Sequence, residues 1–167
     1  MTGPSAPLTA FRDAAAGAGV IPWTLNLDRV EEDAFLRLAA SPQRSLSLEG
    51  ARLLAGELRD AVGRRHARAV AQVGCSRACP FDLHALVPVP GNLLRLDSDD
   101  PEALAWLWTH WGTTAALRHV ALRPAEEADA LRVSFWAADW TPWRAIATVR
   151  EAWPGLRFDV RPVYDLP

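Results

Sequence analysis

Two cap-and-proline pairs, Asp100-Pro101 and Thr141-Pro142, constrain this chain most, because each can open a helix and neither can lie inside one. After the first, Glu102 favours the first turn, and Leu104, Leu107, Trp108 and Trp111 fall at i, i+3, i+4 and i+7. Gly112 then stands where a left-handed residue ends a helix. After the second pair, Trp143, Ile146, Val149 and Trp153 form one apolar stripe, which Pro154-Gly155 terminates. Two short amphipathic helices are therefore expected, with enough chain between them for a β-hairpin.

The intervening and flanking segments alternate as strands do. Phe81, Leu83, Ala85, Val87 and Val89 alternate with Asp82, His84, Leu86 and Pro88 until Pro90-Gly91 closes the run. Leu117 to Arg123 and Leu131 to Ala137 face each other across an acidic turn of Pro124, Glu126, Glu127 and Asp129, which predicts a hairpin. Leu156, Phe158 and Val160 alternate with Arg157, Asp159 and Arg161 as a last strand. From Phe81 to Tyr164 the expected order is strand, helix, strand, strand, helix, strand. The fold class that follows is α+β: a ferredoxin-like βαββαβ plait, with a four-stranded antiparallel sheet and two helices on one face.

Upstream, the signals are helical. Residues 1–19 are rich in Ala, Gly, Pro and Thr with little periodicity, and the expectation is a flexible arm. Residues 20–79 then supply an extended segment, Val20 to Leu27, and two helices packing on the plait of residues 80–167. The first helix runs from Asp28 to Ala40 and stops at Ser41-Pro42. The second begins at an N-cap, Ser47, and carries Leu54, Leu58, Val62, His66 and Val70 as its packing stripe, with Gly74 as a stop. Arg59, Arg64, Arg65 and Arg68 lie on its other sides as a basic patch, within reach of Glu31, Glu32 and Asp33 of the preceding helix.

Composition narrows the function classes. A formal net charge of -2 provides no general attraction for nucleic acid or an anionic membrane. No apolar run approaches the roughly 20 residues of a membrane span, and no secretory signal pattern opens the chain, so the expected location is the cytoplasm. All 18 basic residues are arginine, which removes lysine Schiff-base and phosphate-loop chemistry.

Several C-terminal motifs occur in a telling order: Phe81-Asp82-Leu83 leading into Val87-Pro88-Val89-Pro90, then Trp111-Gly112-Thr113, Phe135-Trp136-Ala137, Trp140-Thr141-Pro142 and Pro154-Gly155-Leu156-Arg157-Phe158. This series resembles the ferredoxin-like domain of the YubB-type plasmid and phage proteins. The resemblance implies a plait and a mobile-element origin and carries over no catalytic residue. Thr114 replaces the lysine that commonly follows Trp-Gly-Thr there, and a longer helical segment replaces a short N-terminal strand.

Of 8 tryptophans only Trp23 precedes residue 106. Helical spacing assigns Trp108, Trp111, Trp143 and Trp153 to the core. Trp106, Trp136 and Trp140 fall outside those stripes, and with Arg132, Arg157 and Arg161 they are the candidate binding residues, since aromatics and arginines anchor interfaces. Cys75, Cys79 and His84, with His66 as a fourth ligand, are the only metal candidates, but Cys-x3-Cys-x4-His lacks the Cys-x2-Cys spacing of zinc sites. His110, His119 and Asp139 offer acid-base groups without a nucleophile or a paired carboxylate. The expectation is thus a non-catalytic, cofactor-free module for a protein partner or for self-association. The alternative is nucleic-acid binding on the sheet face through Trp136 and the arginines, and the third reading is a small metal protein or enzyme.

Overall fold

A computed structural model of the chain describes residues 1–40, 46–125 and 129–164. It is α+β, with helices α1 (Ser5–Ala15), α2 (Leu27–Ala39), α3 (Leu48–Val70), α4 (Leu83–Leu86), α5 (Pro101–His110) and α6 (Trp143–Ala152). One antiparallel sheet of two strands, β1 (Arg118–Arg123) and β2 (Arg132–Trp136), completes the regular structure of the described residues. The helix stop expected at Ser41-Pro42, and Glu126 and Glu127 of the acidic turn, lie outside the described residues.

The four-stranded plait is not formed. Of its expected strands, only the central hairpin is present. In the first expected strand, Asp82 accepts hydrogen bonds from the His84 and Gly19 amides and winds the chain into α4, while Pro88 and Pro90 withhold ladder donors. The last expected strand makes one bridge, in which Thr2 and Arg157 exchange backbone hydrogen bonds of 2.9 and 2.8 Å. Burial follows the expected alternation only in the last of these segments, where Leu156 is buried and Arg157 and Asp159 are exposed; in the first, Asp82 is buried and Ala85 is exposed. A period of two records which side of an extended chain is wet. It does not supply the neighbouring strand that a ladder needs.

That neighbour is the start of the chain. Met1 to Gly3 lies between the approach to β2 and Arg157: the Leu131 amide donates to the Met1 carbonyl at 2.9 Å, and Thr2 is bridged to both Ala130 and Arg157. Residues 1–19, expected as an arm, continue into α1, whose Leu8, Phe11 and Ala15 fall at i, i+3 and i+7 and are buried. Phe11 is fully buried and touches Phe81, Trp153 and Phe158 with ring centroids 6.3, 5.3 and 5.6 Å away. Gly17 then exchanges two 2.9 Å backbone bonds with Cys79, closing the segment onto the core.

Helices α3 and α5 begin at their expected caps, whereas α2 starts one residue before the expected Asp28, from a cap, Asn26, in the segment expected to be extended. Asn26, Ser47 and Asp100 each accept a backbone amide of the first turn of α2, α3 and α5, and Gly112 takes φ +79° after α5. At α6 the proline is itself the N-cap residue, and Thr141 makes no capping bond. The buried faces differ from the expected stripes. In α5 they are Ala103, Leu107 and Trp111, and in α6 Ala145, Ile146 and Val149, so Trp108 and Trp143 face outward. In α3 only Ala51 and Ala55 are buried, and Leu54 and Leu58 stand exposed. No described helix is long and apolar enough to cross a membrane.

Candidate functional site

The segment from Trp136 to Trp143 is held by a carboxylate. Asp139 accepts from the Thr113 and Thr114 hydroxyls, each at 2.6 Å, and from the Thr114 and Trp140 amides at 3.2 and 3.1 Å. Burial alone would raise its pKa, but these hydrogen bonds outweigh burial and hold the carboxyl below its usual range. The Gly112 left-handed turn brings Thr113 and Thr114 to this carboxylate, and the Trp111 carbonyl beside it accepts the Ala145 amide at 3.2 Å. The end of α5, the loop after β2 and the start of α6 are thereby joined in one knot. Asp139 is committed to that knot, and neither His110 nor His119 bonds a carboxylate among the described residues.

Around the knot the indoles point into solvent. Trp136 is 64% exposed, Trp140 52%, Trp108 48% and Trp143 41%. Trp140 stacks on Tyr164 at 5.1 Å, and the tyrosine hydroxyl pairs with the Thr141 hydroxyl at 3.0 Å. Trp136 and Trp140, which fall outside the helical stripes, are exposed, and the structure thereby decides which face of the hairpin is open. Exposure of Trp108 and Trp143 was missed, because their spacing matches a core stripe while smaller neighbours, Ala103 and Ala145, occupy the inner face. Trp106 differs in the other direction: it is partly buried on the core, edge-on to Trp111, and its outer face is covered by His110 at 4.3 Å.

The hairpin adds charge beside these rings. Cross-strand partners Arg123 and Arg132, and Arg118 and Trp136, lie on one face of the sheet, while Phe135 on the other face stacks against Phe81 at 5.8 Å. His119 occupies a bulge in β1 at φ 50° and packs edge-on to Trp136 at 5.9 Å. Among the described residues no carboxylate forms a salt bridge with Arg118, Arg123 or Arg132. Arg157 and Arg161 do not extend this row, since their expected strand is absent: Arg157 is joined to Thr2 by its backbone, and Arg161 pairs with Asp159 at 2.9 Å.

The metal candidates are not brought together. No group of three or more His, Cys, Asp and Glu side chains is placed for a metal among the described residues. Cys75 is exposed, whereas the Cys79 thiol donates to the Phe81 carbonyl at 3.4 Å. His84 Nδ1 accepts the Val89 amide at 3.2 Å, and His66 Nε2 lies 2.9 Å from the Trp23 carbonyl, so each imidazole has a backbone partner. Burial also pushes the Cys79 thiol away from the thiolate a metal would need.

Compared with family models, curated proteins and solved structures, the chain matches none of them.

Proposed function

We propose that the protein is a non-catalytic interaction module of the cytoplasm that engages a protein partner through Trp136, Trp140, Trp143 and Trp108. The plasmid or phage origin implied by the motif order of its C-terminal half belongs to the same reading. One observation carries it: four indoles are between 41% and 64% exposed around one rigid knot. Exposed indoles held by a fixed backbone supply large apolar area at low entropic cost, which is what the centre of an interface requires. The test is affinity capture from the native host with wild type and with a Trp136→Ala, Trp140→Ala variant, after both melt alike. A partner retained by the wild type and lost by the variant is expected. An identical set of partners for both would remove the aromatic surface from the reading.

A second reading rests on Arg118, Arg123, Arg132 and Trp136, which together make one basic face with an aromatic ring. Such a face suits a single-stranded nucleic acid, with phosphates on the arginines and a base on the indole. It predicts salt-dependent binding to single-stranded oligonucleotides that Trp136→Ala abolishes. No binding at low salt would end it.

A further inference from the structure

Beyond Arg157 the chain is held to the body by side chains alone. Arg157 still bridges to Thr2, and Phe158 packs on Phe11, but no backbone–backbone hydrogen bond joins residues 158–164 to another described residue. Pro162 removes one donor and disfavours helical backbone at Arg161. Arg161, Pro162 and Val163 stand in solvent, Val163 at 89% exposure. Tyr164 then returns to the body. Its ring stacks on Trp140 with centroids 5.1 Å and planes 27° apart, and its hydroxyl lies 3.0 Å from that of Thr141. Thr141 precedes Pro142 without capping α6, which leaves its hydroxyl to the phenol. Of the four exposed indoles, only Trp140 has another ring stacked on its face among the described residues, and that ring comes from the segment with no backbone anchor.

We propose that Trp140 and Thr141 form a docking site for a tyrosine side chain on an extended peptide, and that Tyr164 fills this site in cis as a strap that a partner's segment displaces. The chemistry of the site selects the occupant. An indole face takes a flat ring, and the Thr141 hydroxyl beside it takes a phenol; a phenylalanine would leave that hydroxyl without its partner. One ring stack and one neutral hydrogen bond each favour the docked state by about twofold to tenfold. Docked strap therefore exceeds free strap by something on the order of tenfold, and the free minority is what an incoming segment selects. Asp139 beside it is held by several hydrogen bonds and stays in place. The proposal rests on the tryptophan surface being an interface, and it adds the kind of segment that surface takes.

Tyr164 is the only tyrosine of the chain, so labelling with 3-fluorotyrosine gives one fluorine NMR signal, from the strap. In the full chain this signal is expected away from its position in urea, moved by the Trp140 ring, and back at that position in Trp140→Ala. Thr141→Val, which keeps the indole, should move it part of the way. A labelled synthetic peptide of residues 157–164, added to full-chain Tyr164→Ala, tests the site in trans. For a short tether with an effective concentration on the order of 1 mM, a tenfold docked excess corresponds to a Kd of about 0.1 mM for the peptide. Wild type, its site already filled, should bind the peptide about tenfold more weakly. A wild-type signal at the urea position would overturn the proposal. So would equal binding of the peptide by wild type and Tyr164→Ala, absence of binding to Tyr164→Ala at about 1 mM, or binding that survives in Tyr164→Ala, Trp140→Ala. Neither measurement needs a host partner, so failure of the strap and failure of the interface reading appear in different experiments.

Discussion

Asp139 accepts a 2.6 Å hydrogen bond from the hydroxyl of Thr113, a fully buried side chain 26 residues earlier in the chain. Asp139→Ala leaves that hydroxyl without its acceptor and frees the loop that presents Trp140. A loss of about 1–3 kcal/mol is expected in denaturant unfolding. Thr113→Val should cost less than Asp139→Ala, because the carboxylate keeps its bonds to Thr114 and the backbone. Equal stability of wild type and Asp139→Ala would show that the knot contributes nothing.

Two glycine substitutions should have opposite signs. Gly112 sits at φ +79°, and although an added Cβ would meet its nearest neighbours at an ordinary 3.5 Å, the left-handed conformation itself is strained for alanine. Gly112→Ala should therefore destabilise by about 1–2 kcal/mol. Gly56 lies inside α3, and beyond the adjoining helix backbone nothing stands within 4 Å of the place a Cβ would take. There alanine should stabilise by about 0.5–1 kcal/mol. Thermal melts of both variants give the two signs directly.

Phe11 is the centre of the core, although it belongs to a segment of little sequence periodicity. Phe11→Ala removes the ring that joins α1 to Phe81, Trp153 and Phe158, and a loss of about 3–5 kcal/mol is expected by urea unfolding. A loss below about 1 kcal/mol would mean that α1 is dispensable for the core.

Acid should weaken the fold through His84 before it reaches the carboxylates. Burial lowers the imidazole pKa, the nearby Asp82 carboxylate partly opposes this, and Nδ1 must stay unprotonated to accept the Val89 amide. A histidine with a depressed folded pKa binds fewer protons folded than unfolded. Its stabilising contribution is complete above the ordinary value of about 6.5 and declines as pH falls below it toward the folded pKa. His84→Gln should flatten the dependence of stability on pH between about 7 and 5. Parallel curves for variant and wild type would exclude His84 as the source.

Much of the helical architecture was legible in local chemistry. The caps at Ser47 and Asp100, the proline at 101 and the glycine at 112 act within one turn of the backbone they satisfy, so their effect is written in adjacent residues. The Arg118–Trp136 hairpin was legible for a related reason, since its two strands lie close enough in sequence to pair with each other. The plait failed because strand pairing over long separations depends on which backbone arrives as neighbour. Met1 to Gly3 arrives beside Arg157 and Ala130, and nothing in the alternation of Leu156 to Val160 announces it.

The site divides in the same way. Phase alone put Trp136 on the face opposite Leu131, Val133 and Phe135, and the packing of the chain left that face exposed. Trp108 and Trp143 satisfy a helical stripe equally well turned inward or outward, and with Ala103 and Ala145 buried on the inner faces of their helices both indoles are turned out. Arg157 and Arg161 were grouped with Arg132 only through a strand that does not form. Sequence by itself thus determined where α3 and α5 start and which residues of a segment share a face, because those depend on hydrogen bonds and periods a few residues long. Tertiary structure decided which face is buried, which segments pair and which tryptophans meet solvent, because burial is a property of the whole packed chain.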